Sequence, residues 1–186
     1  IGSATHLYRK GWLSELESVL FVENSGQVTG GWWMVPHQSG TLNEDLDTTE
    51  TAIDFGVGTG VLSVNDFILL RDSLKVEYMQ ITADNGDGTY NVTRDVDGSG
   101  AESWPTGHVW VNLGYNGDGR IEFDAQTGGP RISVLEQGTS YSAQTERVRI
   151  GDLNGWGGYS STISGIAIGD FGTTYLTWDP TNGLRI

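Results

Sequence analysis

The chain has 186 residues, and its 24 acidic residues outnumber its 10 lysines and arginines to give a net charge of −14. Because phosphate groups and anionic lipids are bound mainly by lysine and arginine, this charge argues against nucleic acid and anionic membranes as partners. The chain has no cysteine, which excludes disulfides and thiol chemistry, no apolar run near the roughly 20 residues that span a bilayer, and no signal-peptide pattern at its start.

Composition favours a mainly β protein. Hydrophobic residues make up 37% of the chain and include 7 tryptophans, enough apolar surface for a core. The 28 glycines show no Gly-X-Y period and fall between short apolar segments, where turns are expected. We therefore predict antiparallel β structure with little helix, as is typical of an extracellular or virion protein.

Residues 1–50 form the first predicted segment, and they contain the best candidate for a helix. In Trp12–Leu20 the apolar residues Trp12, Leu16 and Val19 recur at i, i+4 and i+7, the spacing of one helix face. A strand that continues through Val22 remains an alternative prediction. A turn at residues 24–26 then leads into a predicted hairpin that includes residues 27–29 and 32–35.

Two adjacent tryptophans, Trp32 and Trp33, are candidate glycan contacts. Neighbouring residues of a strand point to opposite faces, so one ring must leave the core unless both faces are covered. An exposed indole could stack on a sugar ring, whereas in a trimer a neighbouring subunit would bury it. The polar, acidic segment 39–51 that follows is predicted to be a linker or an exposed loop.

Residues 51–113 predict a small, antiparallel, barrel-like β domain. Five apolar or alternating runs are separated by turn signals, and Asn85-Gly86-Asp87-Gly88 supplies residues that tolerate the positive φ of a hairpin turn. The predicted strands lie at residues 53–57, 67–70, 76–81, 90–96 and 109–113.

Residues 114–186 repeat one short phrase, in which two apolar residues flank a single residue and a glycine, an aspartate or a turn follows. The phrase occurs at residues 121–124, 132–134, 148–152, 166–170, 176–180 and 184–186. A strand this short buries one row of side chains only against another strand or another chain. The irregular spacing excludes a simple solenoid, so we predict an intertwined, glycine-rich β region in a homotrimer, continuing beyond Ile186.

The same reasoning gives candidate contact residues in this region. If neighbouring subunits complete each sheet, the paired apolar residues of two phrases, Val148, Ile150, Ile166 and Ile168, lie at subunit contacts. Trp156 sits among glycines in a predicted loop, where it could touch a glycan or pack at a subunit junction.

No motif predicts catalysis, a metal or a cofactor. Asp118 lies in a sequence like an EF-hand loop, but Gly114 and Ala125 occupy two principal ligand positions, so a turn is the better interpretation. The histidines, His6, His37 and His108, lack zinc spacing, and there is no Gly-x-Ser-x-Gly elbow. Sequence cannot place any carboxylate pair at the separation that glycoside hydrolysis needs.

About the last two thirds of the chain resembles proteins of tailed-phage and prophage tails. Residues 66–70, 76–81, 90–98 and 103–109, with Ala101 after Gly98, Ser99 and Gly100, resemble a small β module of tail and fibre proteins. The later segments are similar to those that precede fibre shafts, and they span residues 146–155, 165–170, 175–176 and 182–186.

The resemblance implies a noncatalytic structural protein of the virion tail, extracellular once released, that carries or forms the host-contacting end. Its expected partners are copies of itself, other virion tail proteins and a host surface glycan. The alternatives are a carbohydrate-binding module of a secreted bacterial surface protein and, after it, a fragment of a glycan hydrolase.

Overall fold

The computed structural model describes residues 32–72, 74–125 and 129–186. Within these ranges the chain forms 13 β-strands and no helix. The prediction of a mainly β, antiparallel protein is therefore confirmed. The predicted helix Trp12–Leu20, the turn at residues 24–26 and the strand at 27–29 lie outside the described residues.

Two antiparallel sheets account for all of these strands. The six-stranded sheet has the order β2-β7-β4-β5-β6-β3 and the seven-stranded sheet has the order β1-β8-β9-β10-β11-β12-β13. The first contains β2 (Gln38–Thr41), β3 (Ala52–Ile53), β4 (Phe67–Arg71), β5 (Val76–Asp84), β6 (Tyr90–Thr93) and β7 (Val109–Gly114). The second contains β1 (Trp32–Val35), β8 (Gly119–Asp124), β9 (Arg131–Gln137), β10 (Gln144–Asp152), β11 (Ser164–Asp170), β12 (Thr174–Asp179) and β13 (Gly183–Arg185).

The six-stranded sheet curls into a half-barrel around the main core. Strands β3 to β7 overlap the five strands predicted between residues 51 and 113, but β3 ends at Ile53 instead of residue 57 and β6 ends at Thr93 instead of residue 96. Gly86 and Gly88 have φ of 78° and 97° in the turn between β5 and β6, the left-handed backbone for which this sequence is suited. The largest fully buried side chains of this core are Leu42, Ile53, Phe55, Ile68, Leu70, Met79, Ile81, Tyr90, Trp104 and Trp110.

The acidic segment predicted as a linker or an exposed loop is tied to this half-barrel instead. Its first residues form β2, which pairs with β7. Leu42 and Leu46 are buried in the core, and Leu46 exchanges two backbone hydrogen bonds with Trp104. Two isolated leucines therefore anchor a segment whose other side chains are mostly polar.

One buried ion pair fastens the same segment to the sheet. Glu77 is completely buried, and its carboxylate accepts hydrogen bonds from Arg94 Nε at 2.5 Å and from the Trp104 indole Nε1 at 2.8 Å. Arg94 also donates to the backbone carbonyls of Asp47 and Glu50, both at 3.0 Å. The acidic segment thus covers the Arg94 guanidinium, which donates hydrogen bonds to two of its backbone carbonyls.

The seven-stranded sheet is built from the recurring phrase. Each of its strands β8 to β13 contains one occurrence, and successive strands pair as a meander with β1 added beside β8. Gly151 and Gly169 follow their apolar pairs with φ of 117° and 104°. A Cβ at these positions would collide with the backbone of the neighbouring strand, which explains why glycine closes the phrase there.

The two sheets contact each other through one side of each. Phe67, Leu69 and Leu113 of the six-stranded sheet pack with Met34 of β1 and with Tyr141 of the turn between β9 and β10. This junction covers one face of the seven-stranded sheet near its β1 end and leaves the opposite face outward.

Candidate interaction surface on the seven-stranded sheet

The outward face of the seven-stranded sheet carries two rows of apolar side chains, which together we call the apolar face. The register of all six strand pairs aligns them directly opposite one another. Since directly opposed residues share a face, the first row runs unbroken from β1 to β13 and the second from β1 to β12. The first row is Trp33, Phe123, Ile132, Ile150, Ile166, Trp178 and Leu184; the second is Val35, Ile121, Val134, Val148, Ile168 and Leu176.

Most of the apolar face is open to solvent in the single chain. All of its members except Val148 and Leu176 are exposed, from 37% for Val134 to 60% for Leu184. At ~180 Å² for a fully exposed large apolar residue, these exposed side chains present about 900 Å². A monomer's largest apolar patch is typically ~300–600 Å², so this face has the size of an interaction surface.

The opposite, inner face of the same sheet is polar and covered. Arg120 is 8% exposed and donates to Glu122 Oε1 at 2.6 Å and to Gln144 Oε1 at 2.7 Å. Further along, Arg149 Nε donates to Glu146 Oε2 at 2.9 Å. The usual arrangement of a half-exposed sheet is therefore reversed, because the polar side chains are shielded and the apolar ones are exposed.

The chain itself covers the inner face at the far end of the sheet. The loop between β10 and β11 folds back so that Leu153 and Trp156 pack on Ala167. The Tyr159 hydroxyl of this loop donates to the buried Asp179 at 2.7 Å. Burial raises the pKa of Asp179, but this bond and those from Asn182 and the Thr181 backbone outweigh it and hold the pKa below its ordinary value.

One charged side chain borders the apolar face without entering its rows. Arg147, the extra residue of a bulge in β10, lies 2.6 Å from Glu136 of β9 and 3.4 Å from Asp170 of β11. The hydrogen bond between Arg147 and Glu136 lowers the pKa of the glutamate and raises that of the arginine. Both groups are therefore charged at neutral pH, and they form a polar rim beside an apolar centre.

The structure brings together the four candidate contact residues. In the pairing of β10 with β11, Val148 lies opposite Ile168 and Ile150 lies opposite Ile166. They occupy the middle of the apolar face. Sequence reasoning named Trp33 of β1 as a glycan contact or as buried by a neighbouring subunit, and it did not name the members from β8, β9, β12 and β13 as contacts, although each belongs to the same alternating pattern.

The three candidate glycan contacts lie in different places. Trp33 is 58% exposed on the apolar face, with its ring centroid 6.0 Å from that of Phe123. Trp32 begins β1, where its backbone pairs with Asp124. Trp156 is only 5% exposed, because Phe171 and Tyr175 pack edge-on against its ring, and this leaves little surface for a sugar.

Two grooves open near the ends of the apolar face. The first, of about 270 Å³, is lined by Trp33, Met34, Leu69, Arg71, Val109 and Val111. The second, of about 420 Å³, lies beside the rim and includes Asp118 and Glu136. Glu136 is ion-paired with Arg147, and Asp118 accepts the Tyr115 N–H at 3.1 Å within a turn.

Neither a metal-binding cluster nor a membrane-spanning helix occurs in the part of the chain that the structure describes. There, no group of three or more histidine, aspartate or glutamate side chains could hold a metal ion. The same ranges contain no helix long and apolar enough to cross a membrane. Comparison with protein-family models, with curated proteins and with solved structures found no match in any of the three.

Proposed function

We propose that this chain is a noncatalytic structural part of a tailed-phage or prophage tail fibre or tail tip, assembled as a homotrimer. The observation that carries the proposal is the apolar face, whose apolar rows are exposed while the polar inner face of the same sheet is covered. Such a reversal suits a sheet that is completed by other copies, as the subunits of a fibre require.

The net charge of the chain supports the same proposal. The net charge of −14 keeps a virion surface soluble and free of nonspecific nucleic-acid binding. The resemblance of the last two thirds to tail-fibre segments adds the virion setting and the position at the host-contacting end, and the irregular short strands of residues 114–186 add the number of subunits.

The virion setting is tested by immunogold electron microscopy. Antibodies raised against the purified chain are applied to phage particles from bacteria that carry the gene, with antibody absorbed on the purified chain as the control. We expect gold at the tail end of the particles. Particles that stay unlabelled, while the protein is found in the soluble fraction or on the bacterial surface, would refute the proposal.

A second candidate, a carbohydrate-binding module, is favoured by the groove beside Trp33. The exposed indole of Trp33 in this groove offers a stacking surface for a sugar. Glycan-array binding that Trp33→Ala abolishes would favour this function. Trp178→Ala, which removes another indole about half exposed in the same row but outside this groove, is the matched control.

A further inference from the structure

We infer that the apolar face is the interface between copies of this chain, with both rows in contact with a second copy. The inference rests on the proposed function, because it identifies another copy of this chain as the partner of the apolar face. It assigns the contact to particular residues whatever the number of copies, and its test does not depend on the virion.

The size of the face matches what a self-interface needs. Its exposed side chains present about 900 Å², and a stable, specific interface buries ~800 Å² on each partner. Every strand of the sheet contributes, so the contact does not depend on one loop. By contrast, the junction between the two sheets within the chain has buried residues from only two strands, β4 and β7.

Charge places the second copy on this face rather than elsewhere. Two chains of net charge −14 repel each other, so an interface between copies must keep carboxylates out of its centre. Neither row contains an ionisable side chain. Beside the second row, Glu136, Arg147 and Asp170 are paired with one another at the rim, and Arg71 lies at the Trp33 end of the first row.

The regular geometry of the face also fits a copy of itself. Its rows are ~6.6 Å apart along the strands, and their members follow one another at ~4.8 Å across the sheet. A neighbouring copy presents ridges and gaps with the same two spacings, so large residues of one face can fill the gaps of the next where the faces of three copies meet around one axis. A helical or irregular partner lacks this match.

The absence of native cysteine allows a direct test by thiol labelling. Ile150→Cys places a thiol in the middle of the face, and Val64→Cys places one at a similar exposure, 50% against 44%, away from it. Both folded proteins are treated with a bulky maleimide over a range of protein concentrations. We expect labelling at position 150 to slow on the order of tenfold as concentration rises, and labelling at position 64 to stay constant.

Three results would overturn the inference. Labelling at position 150 that is fast at all concentrations would show that the face stays open. Protection that does not change with concentration would assign the cover to another segment of the same chain. If the Ile150→Glu variant assembled as fully as the Val64→Glu variant, the interface would lie elsewhere. Failure of the immunogold experiment alone would refute the virion setting and would leave this inference standing.

Discussion

Removal of the Arg94 side chain should destabilise the six-stranded sheet strongly. In Arg94→Ala the carboxylate of Glu77, which is completely buried, loses both guanidinium bonds, at 2.5 and 2.8 Å. It keeps only the Trp104 indole and the Glu102 N–H, at 2.8 and 3.1 Å. Breaking a buried pair in this way costs about 3–5 kcal/mol, because a charge remains buried without compensation.

The Arg94→Ala substitution also releases the acidic segment. The backbone carbonyls of Asp47, Glu50 and Glu102 each lose a hydrogen bond from Arg94. Because solvent can reach part of this loop, we expect water to replace some of these bonds, and the total should stay near the upper end of the ~3–5 kcal/mol range.

Urea unfolding followed by far-ultraviolet circular dichroism, at one fixed protein concentration, measures this loss. Arg147→Ala is the control, since its ion pair lies at the surface and its removal should change the unfolding midpoint little. The double variant Glu77→Gln with Arg94→Ala should recover part of the loss, because no charge is then left buried. A loss for Arg94→Ala no larger than that for Arg147→Ala would refute the reasoning.

Three further predictions concern turns and titrating groups. Gly151→Ala should cost about 2 kcal/mol or more in urea unfolding, because φ is 117° and a Cβ would strike Pro130; Gly155→Ala, with φ of 83° and open space, should cost less. Burial raises the pKa of Tyr78 above 10.0, so the stability that Tyr78 contributes is present below pH 10 and lost above it. In Tyr78→Phe the free energy of unfolding should therefore fall less steeply above pH 10. Hydrogen bonds from the hydroxyl and backbone N–H of Thr89 lower the pKa of Asp87 below 3.8. The stability that Asp87 contributes is therefore present above pH 3.8 and lost in acid. Asp87→Asn should reduce the slope of unfolding free energy against pH in acid, and an unchanged slope would contradict this.

The strands were predictable because the period of two is local. In Val148-Arg149-Ile150 and Ile166-Ala167-Ile168 the alternation is complete within three residues, and it identifies both the strand and the face to which each side chain points. Their partners in the neighbouring strands depend on turn lengths and on the bulge at Arg147, which period alone does not determine. The candidate surface was therefore predicted as a few contact residues and observed as two continuous rows.

Other features were missed because they depend on contacts between distant residues. Trp156 was predicted in an open glycine-rich loop, but the loop folds back and Phe171 packs over its ring. Leu42 and Leu46 are single apolar residues in an acidic segment, and nothing in their neighbourhood signals burial. Glu77 and Arg94 lie in two segments that resemble one small β module, but the sequence pattern does not show that the two side chains form an ion pair.

The central claim, that copies of this chain assemble through the apolar face, is tested most directly by the solution mass of the unmodified protein. Light scattering should give a mass that rises with protein concentration and approaches three times 20.1 kDa at high concentration. A mass of 20.1 kDa at every concentration would contradict both the trimer and the self-interface.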